Sequence, residues 1–168
     1  MGEPSDLDIA ICFNRLFALS FHTVLVGGAS APYYLPSKAP HRSVIRYREN
    51  FAASALHEAA HWCIAGKRRL LKRDFAYWYL PSPRTAEQSA AFLAAECPVQ
   101  AMEMIFAEAA GLPFRVSLDD LDLELSSRRE SFAAEVAASA TTWWDHGLPP
   151  RAAAFVEGLQ RAVAQRWS

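Results

Sequence analysis

The spacing of apolar residues along this chain favours a mostly helical protein. A first helix is predicted between residues 6 and 20, after Ser5, which is a typical N-cap residue. Two closing helices are predicted over residues 127–146 and 149–166. Since an α-helix repeats every 3.6 residues, the first helix is expected to carry one apolar stripe, formed by Leu7, Ile11, Leu16 and Leu19.

Short apolar stretches between these helices favour β-strands. HTVLVGG (22–28) ends in glycines, while APYYLPS (31–37) and SVIRYRE (43–49) are bounded by Pro32, Pro36 and Pro40. DFAYWYLPSPR (74–84) is aromatic and limited by prolines, which favours a strand that runs into a loop. Helices and strands together predict an α+β fold, mostly helical, with a small antiparallel sheet and one domain over residues 1–168.

A helix predicted over residues 50–66 carries the motif His-Glu-x-x-His. Asn50 is its predicted N-cap, and Gly66 is the predicted residue after its last turn. His57 and His61 are four residues apart, so both imidazoles lie on one helix face and reach one cation. The neighbouring residues are small or apolar, which predicts a central helix, where adjacent imidazoles without a shared partner are costly. The motif therefore favours a metal site over two hydrogen-bonded core histidines.

A third ligand is expected, because two side chains alone hold a metal weakly. Glu96 is the strongest carboxylate candidate, since a lone acid among small and apolar residues requires a counter-charge. A helix-terminal Glu that reaches solvent is the alternative. Its helix is predicted to begin at the capping box of Thr85 and Gln88, to break or kink at Pro98 and to end at Gly111. The other histidines are isolated in sequence; they are His22, His41 and His146.

Two histidines and one carboxylate leave coordination positions open for chemistry. With Fe(II) this ligand set suits oxygen activation, and with zinc it suits an activated water and hydrolysis. Glu58 is the general base in the hydrolase hypothesis. In the oxygenase hypothesis it supports the site through a hydrogen bond or a bound water. The motif alone favours a zinc peptidase, because most such helices belong to zinc proteases.

The composition of the chain says more about its possible partners than about the reaction at the metal site. The formal net charge of −1 provides no basic field for nucleic acid. No apolar run approaches the length that spans a bilayer, and the amino terminus carries acids where a signal peptide carries Lys or Arg. Three scattered cysteines without a CxxC pair favour a reduced, cytoplasmic setting. We therefore expect neither a nucleic-acid nor a membrane partner.

Four sequence blocks extend the motif into a longer pattern. They are ASALHEAAHWCIAGKRR, then DFAYWY followed by Pro81 and Arg84, then AECPVQAM, then EAAGLPFRVSLDDL. In order and spacing these blocks resemble the elongation factor P hydroxylase family, over residues 6–160. HWCIAGK is the most specific block, and general zinc proteases lack it. The resemblance reverses the preference for a peptidase, which remains the alternative beside a module that only binds the factor.

The resemblance implies an oxygenase that hydroxylates the β-lysylated lysine of elongation factor P. It implies a divalent metal, Fe(II) in the oxygenase hypothesis, and molecular oxygen as the co-substrate. By motif matching, His57, His61 and Glu96 are the metal ligands, and Glu58 takes part in catalysis in a supporting role.

The substrate arm implied by the resemblance is long, flexible and cationic. Aromatic faces attract ammonium groups, and the aromatic candidates for its slot are Trp62, Tyr77, Trp78 and Tyr79. Strand alternation would place about half of them in the core. Asp74 is expected to pair with an ammonium group, and Arg84 completes the substrate-binding set. An acidic run is either a contact for a basic partner surface or a solvated loop; it contains Asp119, Asp120, Asp122 and Glu124.

Overall fold

Helices dominate the residues that the structure, a computed structural model, describes (2–77 and 79–165). The α-helices are α1 (Asp6–Phe17), α2 (Ala52–Ile64), α3 (Ala86–Ala110), α4 (Leu121–Glu124), α5 (Arg128–His146) and α6 (Pro150–Ala164). The strands are β1 (Thr23–Ala29), β2 (Tyr33–Leu35) and β3 (Ser43–Arg48). Two short 3-10 helices follow α2, at Arg69–Leu71 and Arg73–Ala76. The predicted α+β, mostly helical fold is confirmed.

The sheet has three strands in the order β1-β3-β2 and is mixed rather than antiparallel. β3 pairs with β2 in antiparallel fashion but with β1 in parallel, Leu25 lying opposite Ile45. Two chain reversals, one before and one after β2, return β3 to the direction of β1. The predicted antiparallel sheet was therefore wrong in one of its two strand pairs.

Helix α1 buries a different face from the predicted stripe. Leu7, Ile11 and Leu19 are exposed, whereas Phe13 and Phe17 are buried and both contact the Trp62 ring, at centroid distances of 5.0 and 4.9 Å. Aromatic rings bury the largest apolar areas, so they determine which side of the helix faces the core. The predicted N-cap is confirmed: the Ser5 side chain accepts a hydrogen bond from the Asp8 backbone N–H.

Helix α2 is the central helix, as predicted, and packs against α1, α3, α6 and β3. Its predicted start at Asn50 was wrong, because the cap position belongs to Phe51, which offers no side-chain hydrogen bond. Its carboxyl end is capped from a distant element. The Arg151 guanidinium of α6 donates to the carbonyls of Cys63 and Ala65, where a cation also complements the helix dipole.

Helix α3 runs from Ala86 to Ala110 without the predicted break at Pro98. Pro98 lacks the N–H that would bond the carbonyl of Ala94. Ala94 is exposed, so solvent satisfies that carbonyl and the helix continues. The Thr85 capping box and the left-handed Gly111 are both confirmed.

Helix α3 is long and apolar enough, by length and composition alone, to cross a membrane. This finding corrects the expectation that no run approaches that length. Half of its most apolar window is buried within the protein, and three buried polar residues lie along it: Glu96, Gln100 and Glu103. We interpret α3 as a core helix, and the absence of a membrane partner stays a prediction.

The segment after α2 forms tight turns, so the strand predicted to start at Asp74 was wrong, whereas residues 79–84 form no helix or strand, in agreement with the predicted loop. Asp74, Phe75 and Ala76 have left-handed backbones, with φ values of 48°, 57° and 54°. Asp74 Oδ1 accepts a hydrogen bond from the backbone N–H of Tyr34 at 2.8 Å, and the buried Phe75 ring stacks on the Tyr34 ring at 4.3 Å. The Asp74 side chain thus bonds the backbone of the edge strand β2, at a position where a fourth strand would have bonded it with its own backbone.

Candidate metal centre

Packing of α2 against α3 brings the three predicted ligands together. One potential ligand atom from each of His57, His61 and Glu96 lies within 4.8 Å of the others. The Nε2 atoms of His57 and His61 each lie 3.6 Å from a different carboxylate oxygen of Glu96. The side chains are 25%, 12% and 6% exposed, so the group is accessible mainly beside His57.

The separations of the two histidine Nε2 atoms from the Glu96 oxygens fit a shared divalent metal better than direct hydrogen bonds. A distance of 3.6 Å is too long for a hydrogen bond. Two ligand atoms each about 2.1 Å from a metal, at angles between about 90° and 120°, lie roughly 3.0 to 3.6 Å apart. Two imidazoles and one carboxylate are also a ligand set that Fe(II) and zinc both accept.

Glu103 orients the first histidine, and the sequence prediction missed it. Its Oε2 lies 2.7 Å from His57 Nδ1, and its side chain is buried. A carboxylate at this distance fixes the proton on Nδ1 and leaves Nε2 free for a metal. Glu103 follows Glu96 by seven residues on α3, a spacing that places both on one helix face and was the available signal.

Both oxygens of Glu96 are held by hydrogen bonds from neighbouring side chains. The Tyr77 hydroxyl donates to Oε1 at 2.7 Å, and the Gln100 amide donates to Oε2 at 3.2 Å. Gln100 is itself anchored to the backbone of Ser117, donating to its carbonyl at 2.7 Å and accepting from its N–H at 3.0 Å. The carboxylate is therefore fixed with its remaining lone pairs directed at the two histidines.

The electrostatics of the site match what a metal requires of its ligands. Burial and the neighbouring His57 lower the pKa of His61 to about 3, which keeps this imidazole neutral. Burial by itself raises the pKa of Glu96, but His57, His61 and the two hydrogen bonds outweigh it and lower the pKa below its ordinary value. Neutral imidazole and ionised carboxylate are the forms that bind metals.

His57 differs because carboxylates surround it. Burial lowers its pKa, but the carboxylates of Glu103, Glu96 and Glu58 together outweigh burial and raise the pKa to about 10. Without a metal, His57 is therefore the cation that balances this acidic cluster. A metal that binds Nε2 takes over this balancing charge and displaces a proton.

Glu58 is buried next to His57 in the chain. Its carboxyl group makes no hydrogen bond with any residue in 2–77 or 79–165. Burial raises its pKa to about 7, with His57 opposing the shift and the carboxylates of Glu96 and Asp74 adding to it. A carboxyl group with this pKa exchanges a proton readily near neutral pH. The position of Glu58 suits both a general base and a residue that supports the site through a bound water.

Of the predicted aromatic residues that the structure describes, Tyr77 lies closest to the ligands. Its ring meets that of His61 edge-on at a centroid distance of 5.0 Å. Tyr79 is exposed, and its hydroxyl donates to Asp119 at 2.6 Å. Trp62 is buried in the core, where about half of these aromatic residues were expected. The prediction for Trp78 lies outside the described residues.

The predicted charged contacts are engaged within the protein. Asp74 bonds the Tyr34 backbone through one oxygen, and its other oxygen lies 3.5 Å from Arg73. The Arg84 side chain is 1% exposed; it pairs with Asp119 at 2.9 Å and lies 3.8 Å above the Phe92 ring. Their roles in substrate binding stay predictions. The acidic run is engaged too, at Asp119 with Arg84, at Asp120 as the α4 N-cap and at Glu124 with Arg129.

Comparison with known proteins identifies the family. The model of the elongation factor P hydroxylase family matches residues 12–167. The chain belongs to this family. A relative from Haemophilus influenzae, named elongation factor P lysine hydroxylase, is 36% identical over 163 residues, covering 96% of this chain and 88% of its own length.

Membership in the elongation factor P hydroxylase family confirms the resemblance and the enzyme class. The chain is a hydroxylase by family, so its His-Glu-x-x-His motif does not mark a peptidase. The motif is shared by both classes because four-residue helical spacing suits any cation that accepts two imidazoles. Family membership rests on the whole chain, whereas the motif alone occupies one helix.

Proposed function

We propose that this protein is a metal-dependent oxygenase that hydroxylates the β-lysylated lysine of elongation factor P. One observation carries the proposal: a member of the elongation factor P hydroxylase family places His57, His61 and Glu96 around one metal-sized position. The relative's name gives elongation factor P and lysine as its target. The proposal goes beyond that name in two respects: the lysine is β-lysylated, and the reaction uses molecular oxygen.

We assign Fe(II) to the position between His57, His61 and Glu96. When bound there, Fe(II) supplies the reducing power and the open coordination positions through which dioxygen becomes reactive. The protein holds the ligands in place through Glu103, Tyr77 and Gln100. Phe75 and Tyr77 pack against the His61 ring and exclude water from that side.

The substrate's cationic arm suits the charge of this site. Glu58, Glu96 and Glu103 are buried around the two histidines, and Asp74 lies near enough to act on Glu58. Buried carboxylates attract ammonium groups in a low-dielectric setting. Glu58, with its pKa near 7, holds or releases a proton beside the reacting arm.

The proposed reaction breaks one C–H bond of the lysine-derived arm and forms one C–OH bond. It consumes one O₂, two electrons and two protons, and the second oxygen atom leaves as water. A small-molecule reductant such as ascorbate supplies the electrons in an assay. We place the reaction in the cytoplasm, in keeping with the three free cysteines.

Intact-mass analysis of β-lysylated elongation factor P tests this function. The protein, loaded with Fe(II), is incubated with the factor, ascorbate and air, and a parallel sample is kept strictly anaerobic. We expect the factor to gain the mass of one oxygen atom in air only. An unchanged mass in air, or an equal gain without oxygen, would show that the proposal is wrong.

A further inference from the structure

A cluster of exposed cations follows the metal-binding helix directly. Residues 67–73, here called the basic turn, contain five of the 17 Lys and Arg residues of the chain, although the net charge is −1. All five are exposed; they are Lys67, Arg68, Arg69, Lys72 and Arg73. Nearly a third of the cationic residues therefore lie within seven consecutive positions beside the site.

The basic turn is almost without internal charge partners. Among residues 2–77 and 79–165, its one ion pair joins Arg73 Nε to Asp74 Oδ2 at 3.5 Å, and both side chains are largely exposed. Such a pair adds little stability, and neighbouring like charges repel one another. The fold does not require these cations, so their concentration is better explained by a partner.

The backbone of the basic turn is fixed to the wall of the metal site. The N–H groups of Arg69 and Leu70 donate to the Gly66 carbonyl at 2.9 and 3.1 Å. The Tyr34 hydroxyl donates to the Leu70 carbonyl at 2.9 Å. Phe75 joins the turn to the site, because its ring stacks on Tyr34 on one side and parallel to His61 on the other. A partner bound to this turn is thereby positioned relative to the metal ligands.

Leu71 shows which kind of partner the basic turn fits. This leucine is 74% exposed and lies between the three cations of residues 67–69 and the pair Lys72 and Arg73. A phosphate backbone gains nothing from an exposed leucine, whereas a protein interface buries an apolar residue inside a polar rim. The turn therefore fits an acidic protein surface with a small apolar depression.

The site and the turn have opposite charges. Buried carboxylates surround the metal position, and cations cover the adjacent turn. We propose that the basic turn docks an acidic surface of the protein substrate while the anionic site receives its cationic lysine-derived arm. This inference rests on the proposed function, since it takes elongation factor P as that substrate. It assigns substrate orientation to residues outside the metal centre.

Charge reversal tests the docking surface. The triple variant Lys67→Glu, Arg68→Glu, Lys72→Glu changes three exposed cations, and a control of similar kind is Arg15→Glu with Arg161→Glu on α1 and α6. Metal content and circular dichroism verify that each variant is folded. Binding of β-lysylated elongation factor P is measured at low and high salt, and turnover is measured on the intact factor and on a short peptide that carries the modified lysine.

We expect the triple variant to associate with intact elongation factor P roughly tenfold more slowly at low salt, because complementary charge speeds association. The defect should shrink at high salt, raise KM for the intact factor and leave turnover of the peptide unchanged. Leu71→Ser should weaken binding equally at both salt concentrations. The Arg15 and Arg161 control should bind as wild type does.

Three results would overturn the docking proposal, and one of them would also overturn the proposed function. If wild type hydroxylates the factor and the triple variant binds it equally well, the docking surface is wrong and the proposed function stands. If wild type neither binds nor hydroxylates the factor, both proposals are wrong. A triple-variant defect that is equal on the peptide and the intact factor would also contradict docking, because a peptide does not reach the turn's partner surface.

Discussion

His57 presents one ring nitrogen to the metal position and the other to Glu103. The Nδ1–Oε2 distance of 2.7 Å joins two residues that are 46 positions apart in the chain. No local pattern connects such a pair, which is why sequence spacing identified His57 and His61 but not Glu103. Glu96 was predictable because its setting is local: a carboxylate among apolar neighbours on one helix.

Removing Glu103 should weaken metal binding while the protein remains folded. Loss of a carboxylate that orients a histidine ligand typically lowers metal affinity about 10- to 100-fold. We expect this range for Glu103→Ala and a smaller loss for Glu103→Gln, whose amide oxygen still accepts from Nδ1. Glu108→Gln, an exposed carboxylate on the same helix, is the control. Competition with a chromogenic chelator gives the Kd, and equal values for Glu103→Ala and the control would contradict the role.

Glu58 should affect the rate of hydroxylation more than the binding of the metal. Its pKa is raised to about 7 by burial, so it ionises as the pH rises through neutrality. If ionised Glu58 accepts a proton during turnover, the wild-type rate should increase with pH up to about pH 7 and then level off. Glu58→Gln should retain metal, turn over slowly but measurably and lack this inflection.

Glu96→Gln provides the comparison for Glu58, because it should lose either the metal or all activity. The two variants are compared in single-turnover reactions at known metal content. A Glu58→Gln protein that holds its metal but is inert would show that Glu58 is an obligate base, as in a hydrolase.

Two of the predicted helix starts depend on capping residues that the structure confirms. Ser5 and Thr85 cap their helices as expected. The strand predicted to start at Asp74 was wrong because aromatic content favours strands, whereas the backbone at Asp74 and Phe75 is set by their contacts with the distant Tyr34. Single-residue propensity does not contain that information.

Replacing Ala76 by glycine should stabilise the protein. Ala76 is exposed with φ of 54°, and a left-handed backbone costs a residue other than glycine about 1–2 kcal/mol. Glycine loses roughly 0.5–1 kcal/mol more entropy on folding, so the net gain in unfolding free energy is about 0.5–1 kcal/mol.

Ala91→Gly is the matched control for this change, since Ala91 is exposed within the regular helix α3. It should destabilise the protein by about 1 kcal/mol. Urea denaturation measures both variants. A decrease in stability for Ala76→Gly similar to that for Ala91→Gly would show that the turn at residues 74–76 is not left-handed.

Metal binding, proton release and stability are coupled across the molecule. The metal-free protein holds a proton on His57, whose pKa is raised to about 10, and a metal on Nε2 displaces it. Below that pKa the proton competes with the metal, so affinity should increase with pH. Between about pH 8 and 9, where Glu58 is already ionised, the increase should be about tenfold per unit, with about one proton released.

Cobalt(II) is a suitable probe for this linkage because it is stable in air and has a visible spectrum in such sites. Calorimetry in buffers of different ionisation enthalpy gives the proton count. A Kd that does not change between pH 8 and 9 would show that His57 binds no proton in the metal-free protein. Chelation should also lower the Tm, because a ligand that binds the native state stabilises it.

We propose that the protein, with a metal held by His57, His61 and Glu96, hydroxylates elongation factor P. The most direct test measures hydroxylated product per protein in a single turnover, against the amount of bound iron, for wild type, His61→Ala and Glu96→Gln. We predict that the yield of hydroxylated product is proportional to bound iron in wild type, and that no product forms in variants that bind no iron. Product from metal-free wild type, or undiminished product from either variant without iron, would contradict it.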